Sequence, residues 1–536
     1  MGEGDSGSQA AIPGKLEYEA PKTIFSGEPI VKLLAYTENP YALSVASART
    51  CYSPKVIFAS EVNEGQKDRI GKAIFEAGHH TPFQHPTFVF GIENVSRQFV
   101  WSFLHSHPYY NSDQSSQRYN VLNEARAVVP AGLKGEAKGV YEKAVLDAWG
   151  AYNRLSKILV EDNFRLMENI GRMKKQNEKQ IRTDAEKKSI ENARYVLPVA
   201  AFTSLYHTVS GIVLQRYARI AGTGDCPSET RKVVSMMIEE VKKIDPDFFG
   251  RIGKGEIAEN ELPESKMSAK VKADANFAKK FDAGLGGYAN SKLISFDAKA
   301  EEIVAESVRE VFGVGREQLS EDEAIDAVVN PKKNQYLLDT LNVWQHSPLM
   351  RSLNHVNYTF RKRISHTADS QNQRHRATPG SRPLLTRVHT REPDYVMPEV
   401  IGKNKEAKGI YEGMMKELWD AKNKLIGMGV APEFACYLLP NAVNVRFTES
   451  GSLIGYMHKW RMRTCFVAQN EICDASMQEL EQAVKVHPRL TKYIGPPCTY
   501  RNGLVENREL EGPCPEGPRW CGIKVWLGFP KVKRPF

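Results

Sequence analysis

One pattern occurs twice in this chain of 536 residues, and the two copies lack different parts of it. The first copy comprises segments 78–85 (GHHTPFQH), 114–119 (QSSQRY) and 193–198 (ARYVLP). The second copy comprises segments 346–348 (HSP), 374–376 (RHR), 437–440 (YLLP) and 468–471 (AQNE). Because the losses are complementary, the pattern predicts a fused pair of like units. It also predicts a composite site to which each unit contributes what the other lacks.

The length and composition of the chain are those of an ordinary multidomain globular protein. A chain of 536 residues can form two or three domains, each with its own hydrophobic core. No apolar run reaches the roughly 18 residues of a membrane-spanning helix, and the first residues do not resemble a signal peptide. We therefore expect a cytoplasmic protein. The net charge of +9 fits phosphate handling and nucleic-acid binding equally well, so it does not choose between them.

Changes in composition along the chain predict its domain boundaries. Residues 246–299 are rich in glycine, lysine and aspartate and contain few large apolar residues, as in a linker. We predict a first unit over residues 30–245 and a second over 300–486. Residues 487–536 carry many prolines and glycines, and we interpret them as an irregular extension packed on the second unit.

Hydrophobic periodicity predicts several local elements. Residues 88–92 have the composition of a buried strand. Amphipathic spacing indicates helices, and the predicted helical segments are 133–190, 203–221, 233–241 and 300–312.

Basic side chains cluster at three places in the sequence. Arg374, His375 and Arg376 form a dense array of donors suited to phosphate, and Arg118 follows hydroxyl and amide side chains that serve the same purpose. Arg463 lies in a helix-like stretch that begins near His458. The alternative for each cluster is an exposed polar surface.

The sequence contains no recognisable protein nucleophile. It has no Gly-x-Ser-x-Gly motif, no phosphate-binding Walker loop and no Gly-x-Gly-x-x-Gly segment after a strand. An organic cofactor is therefore the more plausible source of chemistry. Cys498, Cys514 and Cys521 match no strong zinc pattern, and we predict no metal site.

At these residues the chain resembles the flavin-dependent thymidylate synthases, whose hallmark is Arg-His-Arg-x-x-Ser. The resemblance covers roughly residues 35–245 and 335–486. It implies an α/β fold of the α+β type, with an antiparallel sheet flanked by helices, present twice. In this family reduced FAD transfers a hydride to dUMP, methylenetetrahydrofolate supplies the carbon of the new methyl group, and NADPH reduces the flavin. The family's homotetramer implies a homodimer of this fused chain, with no nucleic-acid or membrane partner.

The resemblance also implies roles for individual residues. In the first copy, residues matching dUMP ligands are Gln114, Ser116, Arg118 and Arg194, and Thr81 matches a flavin contact. In the second copy, Gln371 and Arg374 match dUMP ligands, and Arg463 matches the catalytic arginine that helps ionise the uracil ring. Residues of the second copy that match flavin contacts are Ser347, Arg374, His375, Arg376 and His458.

Each copy departs from the family at positions that the other keeps. In the first copy the hallmark has become 105–107 (HSH), and Ala221 replaces the catalytic arginine. In the second copy Cys436 stands where the first has Arg194, and Pro379 replaces the hallmark serine. One composite site is therefore expected to survive and its reciprocal to be lost. Alternatives are a related flavin enzyme for another pyrimidine nucleotide or one-carbon donor, and a non-catalytic nucleotide-binding protein.

Overall fold

The computed structural model describes residues 20–502 and 514–535. Within these ranges the strands form two four-stranded sheets and one two-stranded parallel pair. In chain order the strands are β1 (Ile24–Phe25), β2 (Ile30–Tyr36), β3 (Thr87–Ser96), β4 (Asn111–Gln114), β5 (Ala125–Arg126), β6 (Phe202–Ser210), β7 (Ser291–Phe296), β8 (Asn357–Ser365), β9 (Gly380–Ser381) and β10 (Asn444–Ser452).

The two sheets have the same topology. Their strand orders are β2-β3-β6-β4 and β7-β8-β10-β9, and all neighbours are antiparallel. The central strand β3 alternates, with Phe88, Phe90 and Ile92 buried on one face, as expected for a sheet with one covered face. The predicted strand at 88–92 and the predicted fold class, an antiparallel sheet flanked by helices and present twice, are confirmed.

Helices cover the sheets and connect the two units. The helices of seven or more residues are α1 (Pro40–Thr50), α2 (Arg97–Leu104), α3 (Gly135–Met173), α4 (Glu178–Ala193), α5 (Gly211–Arg219), α6 (Pro227–Ile244), α7 (Pro263–Lys270), α8 (Phe277–Ala283), α9 (Ala300–Phe312), α10 (Glu321–Val329), α11 (His366–Asn372), α12 (Lys405–Gly427), α13 (Leu453–Arg463) and α14 (Asn470–Val486). The helices predicted within 133–190, 233–241 and 300–312 are confirmed. No helix of the described ranges is long and apolar enough to cross a membrane.

The helix predicted over residues 203–221 is wrong in its first half. Residues up to Ser210 belong to strand β6, and the helix α5 starts only at Gly211. In β6 the buried side chains alternate, which is the period of a strand rather than of a helix. Only glycine fits at position 211, where the strand gives way to the helix, because a Cβ there would lie 2.4 Å from the ring of Phe248.

The segment predicted as a linker contains part of the second sheet. Strand β7 (Ser291–Phe296) pairs with β8 along its length. The second sheet therefore begins before residue 300, inside the predicted linker range. Its sequence has only a weak strand pattern, because most of its side chains are partly or fully exposed at the edge of the sheet.

The two units are joined by reciprocal backbone hydrogen bonds between equivalent segments. Val199 N donates to Leu439 O and Asn441 N donates to Leu197 O, both at 2.8 Å. A second matched pair joins Ala200 N to Tyr437 O and Ala442 N to Tyr195 O, both at 3.0 Å. A single hydrophobic cluster also contains side chains of both units, including the buried Trp149 of α3 and Trp419 of α12. The units therefore form one body with approximate twofold symmetry.

Two buried carboxylates strengthen this junction in the same reciprocal manner. Glu229 of the first unit accepts hydrogen bonds from Ser96 and from the hydroxyl of Tyr437 in the second unit, the latter at 2.6 Å. Glu471 of the second unit accepts from Ser365 and from Tyr195 of the first, again at 2.6 Å for the tyrosine. Each unit thus provides a hydroxyl that satisfies a buried carboxylate of the other.

Removal of either tyrosine hydroxyl is expected to destabilise the whole chain. Tyr195→Phe or Tyr437→Phe should lower the free energy of unfolding by about 1–3 kcal/mol, because a buried acceptor loses a partner. Urea unfolding measures the effect. Tyr206→Phe is the control, since that side chain is 61% exposed and should change stability little. Equal effects at all three positions would contradict the role given to the junction.

The C-terminal segment contacts both units, whereas the sequence predicted packing on the second alone. Leu490, Ile494 and Tyr500 join the smaller core of the second unit. After the undescribed stretch, Trp526 joins the larger shared core. Gly522, with φ +83°, lies against the end of α3, where a Cβ would meet Ile170 at 2.2 Å.

Candidate active site

The hallmark triplet follows a short helix that is capped by a serine. Strand β8 ends at Ser365, whose Oγ accepts a hydrogen bond from Ala368 N at 3.1 Å and so starts α11. The helix ends at Asn372, and Arg374, His375 and Arg376 occupy the turn that follows. His375 is buried, whereas both arginines are exposed. The turn thus presents two cations on either side of a buried imidazole.

Both arginines of the triplet point to the first unit. Arg374 Nη2 lies 3.3 Å from Asp113 Oδ1, and Arg376 Nη2 donates to Asn111 Oδ1 at 2.9 Å. Beside them, the buried hydroxyl of Tyr110 donates to Gln373 Oε1 at 2.6 Å. Asn111 and Asp113 belong to β4, which leads into the loop that contains Ser116 and Arg118. The surviving triplet of one unit therefore lies beside the surviving loop of the other.

Arg463 connects to the triplet through His375. It ends α13, where its Nε donates to His375 Nε2 at 2.8 Å and its Nη2 donates to the Gln371 carbonyl at 2.8 Å. Burial, aided by the positive charge of Arg463, lowers the pKa of His375 well below its ordinary value. Since Nε2 accepts the hydrogen bond, the proton of the neutral ring is assigned to Nδ1.

The arginines of the two units come close enough to repel one another. Burial is the main cause that lowers the pKa of Arg463 to about 10, and the charges of Arg118 and Arg374 add to the shift. Arg118 is held by an ion pair with Glu191 and by a hydrogen bond of its Nη2 to Val467 O at 3.0 Å. Three cations here outnumber the two nearby carboxylates, Glu191 and Asp113, and the net positive charge favours an anionic ligand.

Several buried polar atoms at this site have no hydrogen-bond partner within the described residues. The atoms that lack one are Arg194 Nε and Nη2, Gln117 Nε2, His375 Nδ1 and Gln371 Oε1. Buried donors and acceptors are normally satisfied, so such a group of unmatched atoms fits a bound molecule. Most of them are donors, which fits an anionic group such as a phosphate.

The remaining predicted site residues have less direct positions. Gln114 Oε1 accepts from Arg97 Nη1 at 3.1 Å, and Ser116 Oγ accepts from the backbone N of Arg118 at 3.2 Å. The ring of His458 lies 5.6 Å from that of His375. Thr81 and Ser347 begin or follow short 3₁₀ segments, and among the described contacts no hydrogen bond joins either to the arginines. The site therefore gathers the arginines, glutamines and histidines but not these two hydroxyls.

The reciprocal site retains a cavity but has lost its free cations. A cavity of about 410 Å³ is lined by Ala221, His105 and Arg382 among others. Arg382 is bound to the buried carboxylate of Asp369 at 2.9 Å, and His105 lies 3.3 Å from the same group. Burial alone would raise the pKa of Asp369, but Arg382 and His105 hold this pKa below its usual range. A carboxylate of the protein thus neutralises the arginine of the second unit's loop.

Sequence reasoning missed two charged residues of the composite site. Arg97 is partly buried, donates to Gln114 Oε1 and donates to the Ser115 carbonyl at 2.6 Å. Glu191, the partner of Arg118, lies three residues before Arg194 on α4. The only available signal was a charged residue next to a recognised motif, and charged residues usually face solvent.

Comparisons with known proteins identify relatives of this chain. Residues 32–247 and 292–489 match the family described as thymidylate synthase complementing protein. A flavin-dependent thymidylate synthase of Clostridium tetani is 29% identical over 242 residues, covering 44% of this chain and 92% of the relative. The enzyme of the same name from Saccharolobus solfataricus is 31% identical over 175 residues, covering 32% of this chain and 67% of the relative.

A solved structure was also matched. The UMP/dUMP methylase PolB from Streptomyces cacaoi, bound with 5-Br dUMP, has 18% identity and a TM-score of 0.30, covering 43% of this chain and 99% of that one.

Because the family match covers most of the chain in two separate stretches, the chain belongs to the flavin-dependent thymidylate synthase family. The resemblance inferred from the motifs is confirmed. The individual roles of the site residues remain predictions.

Proposed function

We propose that this protein is a flavin-dependent thymidylate synthase that methylates dUMP to dTMP with methylenetetrahydrofolate and NADPH. The reaction takes place at the composite site between the two units. The observation that carries the proposal is that Arg118 of the first unit reaches Val467 of the second, four residues after Arg463, while Arg374 reaches Asp113 of the first. Such a site requires both copies of the motif and uses the part that each has kept.

The nucleotide is held mainly by side chains of the first unit. Arg118 and Arg194 bind the phosphate of dUMP, since Arg194 has two buried donor atoms that no described residue satisfies. Gln114 ends strand β4 and Ser116 lies in the loop that follows, and both bind the phosphate and sugar. Gln371 and Arg374 complete the site from the second unit. Arg463 stabilises the negative charge that develops on the uracil ring, an electrostatic role for a pre-positioned donor.

Residues of the triplet fit a flavin. Arg374 and Arg376 are exposed cations on either side of His375, whose Nδ1–H is buried and has no partner within the described residues. These residues hold FAD together with His458, and Thr81 and Ser347, which lie apart from the arginines, contact another part of the same cofactor. When bound, the flavin supplies the reducing chemistry that no side chain here can provide. His375 orients Arg463 through its accepting Nε2.

A related reaction is the second candidate. Pro379 stands where the family hallmark has a serine, so a hydroxyl that the family provides is missing. This favours a different pyrimidine nucleotide or one-carbon donor. A non-catalytic nucleotide-binding protein is the third candidate. In each case we expect a homodimer in the cytoplasm, with the small molecules as its partners and without nucleic acid.

The absorbance spectrum of the purified protein tests the proposal first. A bound flavin that is reoxidised by dUMP and methylenetetrahydrofolate, with formation of dTMP, is the expected result. Bound flavin without dTMP would favour the second candidate. A colourless protein that takes up no added FAD would contradict both and favour the third.

One nucleotide is expected to bind to each chain. The reciprocal site should not contribute, because Cys436 and Ala221 stand where the intact site has arginines and because Asp369 pairs with Arg382 there. Equilibrium dialysis of dUMP against the flavin-loaded protein measures the stoichiometry. Arg118→Gln should weaken binding about ten-fold or more, whereas the control Arg387→Gln, in the loop of the second unit, should change the affinity less than about two-fold. Two equivalent nucleotides per chain would show that the reciprocal site is intact.

A further inference from the structure

A second basic cavity, of about 180 Å³, lies beside the proposed phosphate site. Arg118 and Tyr119 line it, while Arg374 and Arg463 do not. The cavity therefore shares Arg118 with the proposed phosphate site and does not include the arginine assigned to the uracil ring. At about 30 Å³ for each water, it has room for several water molecules and hence for a phosphate group.

The C-terminal segment forms one wall of this cavity. It contributes Arg519, Trp520, Cys521 and Arg534, opposite side chains of helices α3 and α4. The wall is firmly seated, because Gly522 packs against Ile170 and because Val525 is buried. Arg534 Nη2 also donates to the Ala468 carbonyl at 2.6 Å. Residues 519–534 thus form a fixed wall of the cavity.

The charge of the cavity is strongly positive. Six basic and two acidic side chains line it. One of the acids, Glu191, is already engaged by Arg118 and by Lys188, the latter at 2.8 Å. Burial is the main cause that lowers the pKa of Lys188 to about 8. Cations that outnumber carboxylates in a partly enclosed space attract an anion.

We propose that this cavity binds a second phosphate carried by the nucleotide, so that the protein binds a deoxyuridine diphosphate more tightly than dUMP. The inference rests on the proposed function, because it places the first phosphate on Arg118. A phosphate linked to the first would enter the cavity directly. There it would meet Lys174 and Arg519, neither of which makes a described side-chain hydrogen bond or ion pair.

Calorimetric titration of the flavin-loaded full chain with deoxyuridine, dUMP and dUDP tests this inference. We expect dUDP to bind about ten-fold more tightly than dUMP. Arg519→Gln, alone and combined with Lys174→Gln, should remove that gain and leave the dUMP affinity within about two-fold. Lys524→Gln is the matched control, since this exposed lysine of the same segment does not line the cavity. Thermal unfolding of each variant checks the fold.

Other outcomes would overturn the inference. Equal affinities for dUMP and dUDP would contradict it. So would an equal loss of affinity for both ligands in the Arg519→Gln variant. Binding of inorganic phosphate in the presence of saturating dUMP, without a gain for dUDP, would assign the cavity to a free anion instead. If dUMP itself failed to bind, the proposed function would fail and this inference with it.

Discussion

Replacing Arg463 with alanine is expected to reduce turnover about 10²- to 10³-fold while the protein stays folded. The loss corresponds to about 3–4 kcal/mol of transition-state stabilisation, as when one positioned donor is removed from a site of developing charge. The fold should survive because the loss of two hydrogen bonds, to His375 and to the Gln371 carbonyl, is offset in part by relief from the repulsion of Arg118 and Arg374. Steady-state dTMP formation and the flavin absorbance together measure the effect.

Two further variants make the Arg463 prediction specific. Arg463→Lys keeps the charge but cannot donate simultaneously to His375 and to the Gln371 carbonyl, so it should recover only part of the activity. Arg391→Ala, at an exposed position, should have full activity. Full activity of Arg463→Ala would show that another group stabilises the reacting ring.

Replacing Lys459 with methionine is expected to lower the free energy of unfolding by about 3–5 kcal/mol. Lys459 and Lys362 lie with Glu449 and Glu479 in a fully buried network, where all four side chains are inaccessible to solvent. Removal of one cation leaves a buried carboxylate without its compensating charge. Urea unfolding at neutral pH measures the effect.

The pH dependence of this variant provides an independent check. Burial opposes ionisation of Glu449, but the charges of Lys362 and Lys459 outweigh it and hold its pKa below the ordinary value. A lowered pKa stabilises the fold above the pKa of the unfolded chain, about 4.3, and this contribution is lost as the pH falls. The cost of Lys459→Met should therefore shrink in acid, where the carboxylate becomes protonated.

An exposed lysine is the control for the buried one. Lys485 pairs with Glu481 at 2.7 Å, but both side chains are 59% exposed. Lys485→Met should change stability by about 0–1 kcal/mol at any of these pH values. Equal effects of the two substitutions would mean that the buried network is accessible to water.

Much of the fold could be predicted from local patterns. The apolar composition of residues 88–92 indicated a buried strand, and amphipathic spacing indicated the long helices. The failures had physical causes. Strand β7 lies at an edge and buries little, and residues 203–210 could be assigned to a strand only by their two-residue period. Edge strands and strand-to-helix changes carry weak local signals.

The candidate site was predictable only in part. The complementary losses in the two copies indicated which residues should act together. These losses are visible in the sequence, since they depend on residue types alone. Contacts such as Arg118 with Glu191, and Arg382 with Asp369, depend on how the chain packs over separations of many residues. Nothing in the sequence near Arg382 indicated that its charge would be neutralised. The cavity beside the C-terminal segment was likewise invisible, since its walls come from distant segments.

The reciprocal backbone hydrogen bonds between residues 195–200 and 437–442 join two like units that belong to a single chain. In an assembly of identical subunits, every substitution appears in every copy of the site, on both sides of each symmetry axis. Here the two sides are encoded separately, so a substitution changes one side alone. Each half of the chain can therefore accumulate changes that would disable the composite site if they were copied into the other half.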